Sequence, residues 1–94
     1  GAMDRTEGTD FSFFISSLAM QASIALGIMA HPITNRTETN LSHARLIIDT
    51  LAMLKEKTTG NLTTDEDSLL DKFLYELRKK YAENTSNRKK EGQI

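Results

Sequence analysis

The sequence predicts an all-α protein of three helices, with helices two and three forming an antiparallel hairpin packed on a long apolar first helix. Three observations support this fold class. Apolar residues recur at three- and four-residue spacing in two charged segments, which is typical of amphipathic helices. Residues that cap helices flank those segments. A further segment, residues 11–30, is twenty residues long and uncharged, in a chain that is 27% charged.

The 94 residues suffice for one domain. Gly1, Ala2 and Met3 are typical of a cleaved expression tag, and residues 1–9 are predicted to be a tag remnant and a disordered lead-in. We expect a single helical domain over residues 10–82. Residues 83–94 have one apolar side chain and are predicted to form a disordered polar tail.

The first helix is predicted over about residues 11–30. Asp10 is a good N-cap, and its carboxylate suits the positive end of the helix dipole. Pro32 disfavours helical geometry at His31, which makes it the stop signal. The following stretch, "HPITNRTETN", is rich in Thr and Asn and is predicted to be a loop.

The second helix is predicted over about residues 41–59, with Asn40 as its N-cap. Gly60 is placed to supply a left-handed residue at its C-terminal end. Lysines in the last turn suit the negative end of the helix dipole. The apolar stripe consists of Leu41, Ala44, Ile47, Ile48, Leu51 and Leu54.

The third helix is predicted over about residues 64–82. Thr63 and Glu66 have the spacing of a capping box, and acidic residues fill the first turn. The four-residue connection to helix two makes the two helices antiparallel neighbours. The apolar stripe consists of Leu69, Leu70, Phe73, Leu74, Leu77 and Tyr81.

Helix one lacks the charged face that a helix at the surface of a small bundle normally shows. Two helices of one chain cannot easily cover all of its apolar surface. We therefore expect self-association, most simply as a twofold dimer in which helix one packs against its own copy. The predicted interface combines a ridge of small residues with neighbouring apolar side chains: Ser12, Ser16, Ala19, Ser23, Gly27, Phe13, Met20 and Ile24.

Insertion of helix one into a membrane is the alternative, because an uncharged run of this length matches a bilayer. Gln21 near its centre, several serines and the absence of Lys, Arg, Trp or Tyr at its ends argue against insertion. Small residues at such spacing favour close helix packing in membranes and in tightly packed oligomers alike. The sequence leaves a membrane-anchored accessory protein as the second hypothesis.

No pattern predicts catalytic, cofactor-binding or metal-binding residues. His31 and His43 have neither a cysteine nor a second histidine at ligand spacing. The acidic "DEDSLLD" occupies a helix start, where the dipole favours carboxylates. The sequence has no nucleophile elbow, phosphate-binding glycine loop or dinucleotide fingerprint. We therefore expect a protein that is not an enzyme and that needs no cofactor.

The charge balance argues against nucleic-acid binding. Twelve basic and thirteen acidic residues give a net charge of −1, so no overall field attracts a polyanion. Basic residues do cluster at 78–80 and 88–90, near a helix end that favours cations. The absence of cysteine is typical of a reducing compartment and favours the cytoplasm. The expected partners are a second copy of the chain and an unidentified protein.

Two stretches, "DFSFFISSLAMQASIALG" and "NLSHARLIIDTLAMLKEKTTGNLTTDEDSLLDKFLYELRKKY", resemble a bacterial family known as domain of unknown function 1844. The resemblance covers about residues 10–81. It implies a small helical bacterial protein and assigns no catalytic residue. The loop "HPITNRTETN" departs from the acidic, glycine-containing loop that members of the family often have.

The polar residues that match the family have two interpretations. Each has a local structural role, such as an i,i+4 pair between Arg45 and Asp49. In the functional interpretation they form a polar network at a partner or subunit interface: Arg45, Asp49, Glu56, Tyr75, Glu76 and Arg78.

Overall fold

The computed structural model of the protein describes residues 10–92, and side chains as far as residue 86. It contains three α-helices: α1 over Phe11–Ala25, α2 over Leu41–Lys57 and α3 over Thr64–Gly92. No strand occurs within residues 10–92. Each helix packs against the other two. The predicted all-α fold of three helices is therefore confirmed, whereas the predicted lead-in over residues 1–9 lies outside the described residues.

One apolar core lies between the three helices. The predicted stripes of α2 and α3 face it, and every residue of both stripes is buried or half-buried. The inner face of α1 consists largely of alanines, which allow neighbouring helices to approach closely. The buried residues are Ile15, Ala19, Ala22, Ala25, Leu26, Ala44, Ile47, Ile48, Leu51, Leu70, Leu74 and Leu77.

Helix α1 begins as predicted but ends earlier. The N–H of Phe13 donates to Asp10 Oδ1 at 2.8 Å, so Asp10 caps the helix. The helix ends at Ala25 and not at about residue 30. At its end, Gly27 N–H donates to the Ile24 carbonyl and Ile28 N–H to the Ser23 carbonyl. These two bonds form a Schellman motif.

Gly27 is the physical reason for this early end. Its φ is +79°, in the left-handed region that the motif requires and that glycine adopts without steric cost. The sequence prediction took Pro32 as the stop signal and counted Gly27 within the helix, and both assignments are wrong. Gly27 therefore belongs to the helix end and not to a ridge along the helix.

The early end bears on the membrane alternative. A helix of 15 residues is about 22 Å long at 1.5 Å per residue, shorter than the hydrocarbon core of a bilayer, which is about 30 Å thick. No helix within residues 10–92 has both the length and the apolar character needed to cross a membrane.

The segment between α1 and α2 folds back onto the end of α1. Asn40 N–H donates to the Ala25 carbonyl at 2.7 Å, which joins the start of α2 to the end of α1. Within the segment, His31 N–H donates to the Arg36 carbonyl at 2.9 Å. The predicted loop is therefore held beside the last turn of α1. Asn40 also caps α2, because its Oδ1 accepts from His43 N–H at 3.1 Å.

The connection between α2 and α3 has the predicted glycine and capping box, although α2 ends at Lys57 and not at about residue 59. Gly60 has a φ of +83°. Thr63 N–H donates to Glu66 Oε1 at 2.8 Å, and Glu66 N–H donates to Thr63 Oγ1 at 3.1 Å, which together form the predicted capping box. Lys55, in the last turn of α2, pairs with Asp67 and Asp71 in the first turns of α3.

Helix α3 ends at Gly92 and not near residue 82 as predicted. A long-range contact accounts for part of the extension: Asn84 Nδ2 donates to the Leu26 carbonyl at 3.0 Å, just after α1. Neither proline nor glycine occurs in residues 64–91, so nothing in the sequence of α3 breaks the helix before Gly92. The polar residues after 82, which predicted a tail, are therefore compatible with a helix. The first turn of this extension is bound through Asn84 to the end of α1.

Candidate self-association surface

The side of α1 that points away from the core carries the apolar residues that the sequence assigns to an interface. Phe13, Met20 and Ile24 are spaced by seven and four residues, so they lie along one line of the helix. Phe13 is 56% exposed and Met20 is 45% exposed, whereas Ile24 is half-buried. We call these three residues the outward face of α1. No residue of α1 is charged.

One flank of the outward face consists of serines. Ser12, Ser16 and Ser23 are spaced by four and seven residues and lie along a parallel line, which we call the serine flank. Ser23 Oγ donates to the Ala19 carbonyl at 3.0 Å. Because this hydroxyl already has an acceptor in its own helix, an apolar neighbour can cover it at little cost.

The small-residue ridge expected from the sequence is divided by the fold. Ala19 is 6% exposed and packs in the core of its own chain, so it is not available on the outer surface. Gly27 lies beyond the end of α1 and contacts Thr39. Ser12, Ser16 and Ser23 remain beside Phe13, Met20 and Ile24, and a contact between copies through them stays a prediction.

The other flank borders a groove of about 730 Å³. Phe14, Gln21 and Ala25 lie along a third line of α1, spaced by seven and four residues, and we call this line the groove flank. Loop 31–40 and the start of α2 form the opposite wall. The residues lining the groove are Gln21, Ile24, Ala25, His31, Thr34, Arg36, Glu38, Asn40 and His43.

Sequence reasoning did not identify this groove. It treated His31 and His43 as unrelated residues at helix ends, whereas the return of the loop brings both into one groove. His31 is half-buried, and its Nδ1 accepts a hydrogen bond from Ile33 N–H at 3.1 Å. The clearest sequence signal was Gly27, because an early helix end lets the following residues return alongside α1.

The outward surfaces of α2 and α3 have a different character. Leu46 and Met53 are exposed on α2, but charged residues surround them, including the pair of Arg45 and Asp49 at 3.8 Å. Tyr75 is exposed on α3, where lysines and acidic residues occupy the neighbouring exposed positions. Among the described helices, only α1 therefore has an outward side without charged residues.

A second, smaller groove of about 330 Å³ lies between α2 and α3. It brings together three of the six residues of the hypothetical polar network, namely Arg45, Asp49 and Arg78, with Ile48 and Tyr81 forming the remaining walls. Glu56, Tyr75 and Glu76 do not line this groove and are exposed. The local pairing of Arg45 with Asp49 is observed, whereas a wider network at an interface stays a prediction.

The other candidate sites have structural roles in the described residues. Within residues 10–92, no group of three or more His, Cys, Asp or Glu side chains is arranged to hold a metal ion. Glu66 of "DEDSLLD" completes the capping box, and Asp67 and Asp71 bind Lys55. Lys80 of the basic cluster pairs with Glu83 at 3.8 Å. The side chains of residues 88–90 lie outside the described part.

The family comparison agrees with the sequence resemblance. A family model described as domain of unknown function (DUF1844) matches residues 8–83. The chain belongs to this family. The match spans α1, α2 and most of α3. Comparisons with curated proteins and with solved structures find no match.

Proposed function

We propose that this member of the DUF1844 family is a non-enzymatic bacterial interaction module that self-associates as a dimer through the outward face of α1. The observation that supports it is the exposure of Phe13 and Met20 on a helix without a single charged residue. The family description assigns no activity. A reducing compartment such as the cytoplasm suits a chain without cysteine.

The hydrophobic effect is the driving force for this association. Burial of apolar surface contributes about 25 cal/mol per Å², and Phe13 and Met20 each still expose about half of their surface. The face has no charge that would direct it to a charged partner. A second copy presents the same neutral apolar line, and a twofold axis pairs each face with its equivalent.

We also propose that α2 and α3 form the antiparallel hairpin that holds α1 on one side. Two contacts support this arrangement. Lys55 near the end of α2 binds Asp67 and Asp71 near the start of α3, whereas Arg45 near the start of α2 shares a groove with Tyr81 far along α3. The hairpin covers the inner face of α1 and leaves its outward face for a second copy.

The test compares two methionines that differ only in location. Met20 on α1 and Met53 on α2 are each 45% exposed, so they form a matched pair. We expect Met20→Lys to convert the dimer to a monomer, because it places a charge in the centre of the outward face. Met53→Lys adds the same charge to a surface that is already charged, and the dimer should persist. Light scattering on a sizing column, without detergent and over a range of concentrations, gives the mass of each variant.

Two outcomes would contradict the proposal. A wild-type chain that is monomeric at every concentration excludes self-association. If Met53→Lys dissociates the dimer and Met20→Lys does not, the interface lies on α2. Circular dichroism measures the helical content of both variants and tests whether a change in mass comes from unfolding.

A further inference from the structure

We infer that the groove beside α1 is the receptor for Phe14 of the partner copy, in a dimer whose two α1 helices are antiparallel. The inference rests on the self-association proposed above and specifies its geometry. Phe14 is 50% exposed although it lies near the start of a helix with a well-packed inner face. The groove lies at the other end of the same flank, beside Gln21 and Ala25.

Symmetry places Phe14 and the groove together in one orientation only. In an antiparallel pair packed outward face to outward face, the twofold axis is perpendicular to the helices, so each flank stays on its own side of the interface. The start of one helix then meets the end of the other. Phe14 of one copy is therefore on the same side and at the same end of the interface as the groove of its partner, and this relation occurs twice.

A parallel pair cannot make this contact. Its twofold axis runs along the helices, so the start of α1 meets the start of its copy and the two flanks exchange sides. We choose the register of the antiparallel pair in which Phe13 lies opposite Ile24 of the partner, and Met20 then lies opposite Ser17. A large side chain thus meets a small one near the centre, as good helix packing requires.

The interface area also favours occupation of the groove. Helix α1 is about 22 Å long and about 10 Å wide, so its outward face alone offers roughly 220 Å² of projected area. A stable interface usually buries about 800 Å² on each partner. Contacts that extend from the helix into the groove and along loop 31–40 would add to the area that the outward face can bury.

The chemistry of the groove suits a neutral aromatic side chain. Ile24 and Ala25 provide an apolar surface that is continuous with the outward face. Arg36 and Glu38 have opposite charges, so this pair contributes no net charge that would select an ion. The Arg36 guanidinium and the imidazoles of His31 and His43 can stack against a ring. The groove volume of about 730 Å³ accommodates a phenyl group with room to spare.

The two histidines provide a direct probe. They are the only histidines in the chain and both line the groove, so their imidazole C–H signals in a proton NMR spectrum report on its occupant. We expect both signals to shift as the concentration is raised through dimerisation, because the ring of Phe14 changes their magnetic environment. Phe14→Leu should remove most of this shift. Tyr75→Leu, an exposed aromatic on α3, is the control and should leave it unchanged.

Cross-linking tests the orientation independently. The chain has no cysteine, so Ser12→Cys and Ser23→Cys variants each carry one thiol on the serine flank. The positions of these residues can be compared along the helix axis. In the antiparallel dimer, Ser12 is separated along that axis by about 3 Å from Ser23 of the partner and by about 20 Å from the partner's Ser12. A short thiol-to-thiol linker should therefore join the two variants when they are mixed, and should join Ser12→Cys to itself poorly.

The outcomes separate the two proposals. A chain that stays monomeric contradicts self-association itself. A dimer that cross-links Ser12→Cys efficiently to itself retains self-association and overturns the antiparallel geometry. Two results would show that Phe14 does not occupy the groove, even if the mixed variants cross-link. The histidine signals either stay constant as the concentration rises, or they shift equally in wild type and in Phe14→Leu. Either result overturns the inference about the receptor.

Discussion

The two connections between helices begin with the same local signal and differ in what surrounds it. Gly27 follows α1 with a φ of +79°, and Gly60 follows α2 with a φ of +83°. A Cβ on Gly27 would lie 2.5 Å from Thr39 Oγ1, whereas a Cβ on Gly60 would meet no atom within 4 Å. Both glycines have a left-handed backbone just after a helix, Gly27 directly after the C-cap Leu26 and Gly60 two residues after the C-cap Thr58, but only Gly27 is also a point of tertiary packing.

The hydrogen bonds of the two connections differ in the same way. Thr63 and Glu66 cap α3 by bonds between residues three apart. The end of α1 is instead bound by distant residues: Asn40 donates to the Ala25 carbonyl, and Asn84 donates to the Leu26 carbonyl. The connection between α2 and α3 is thus determined locally, whereas the one between α1 and α2 depends on the assembled fold.

Gly27→Ala should be the most destabilising of the substitutions proposed for these connections. Alanine in the left-handed region costs about 1–2 kcal/mol, and the contact with Thr39 adds a packing cost of similar size. We expect a loss of about 3 kcal/mol in the free energy of unfolding. Gly60→Ala has the same backbone cost without the contact, so its loss should be about 1 kcal/mol. Urea denaturation at one fixed protein concentration measures both values.

A double variant isolates the tertiary part of this difference. Thr39→Ala removes the hydroxyl that the new Cβ would approach. The cost of Gly27→Ala should then fall towards that of Gly60→Ala when it is measured in the Thr39→Ala background. Equal costs for Gly27→Ala and Gly60→Ala in the wild-type background would contradict the distinction between the two connections.

The second prediction concerns the long-range hydrogen bond of Asn84. We expect Asn84→Ala to cost about 1–2 kcal/mol, because the Leu26 carbonyl loses its side-chain donor in a half-buried position. Amide hydrogen exchange should also accelerate in α3 beyond residue 82, since that part of the helix loses its contact with the end of α1. Thr85→Ala is the control, because the hydrogen bond of Thr85 Oγ1 is a local one, to the Ala82 carbonyl of the same helix. Similar exchange rates in both variants would mean that Asn84 does not hold this turn.

A smaller effect is expected at the local cap of α3. Thr63→Ala removes the hydroxyl that accepts the Glu66 N–H, at a typical cost of about 1 kcal/mol. The change should be confined to the first turn of α3, with hydrogen exchange at the end of α1 unaffected. Glu66→Gln keeps the capping box and should retain most of the stability. Faster exchange near Ala25 in Thr63→Ala would show that the two connections are coupled.

The smallest expected effect is pH-dependent and involves Lys55. The hydrogen bond with Asp71, aided by the charge of Asp67, raises the pKa of Lys55 above its ordinary value. A raised pKa means that this pair stabilises the fold below the ordinary pKa of lysine, and that the contribution disappears as the pH rises through the raised value. Asp71→Asn should therefore lower Tm slightly at neutral pH, and the difference from wild type should shrink at strongly alkaline pH.

Asp65→Asn serves as the control for this pH profile. It also removes a carboxylate from the first turn of α3, but Asp65 does not pair with Lys55. Its Tm difference should not depend on the titration of Lys55. Parallel pH profiles for the two variants would contradict the assigned role of the ion pair.

The candidate surface was only partly predictable from the sequence. Phe13, Met20 and Ile24 were identified because an uncharged helix must expose some apolar residues. Ala19 was assigned to the same surface because of its size, yet it packs inside its own chain. Periodicity shows which residues share a face, but only the positions of the neighbouring helices decide which face is inside. The groove beside Phe14 was missed for a related reason, since it depends on the return of the loop.

Local sequence patterns predict the helical class, the starts of all three helices and the capping box, because caps and apolar stripes act over three or four residues. Packing between the helices sets how far α3 extends, what binds the end of α1 and which side of α1 faces outward. Those features depend on contacts such as Asn84 with Leu26 and Gly27 with Thr39, which join residues distant in the chain. Such contacts exist only after the helices have packed, so no local pattern encodes them.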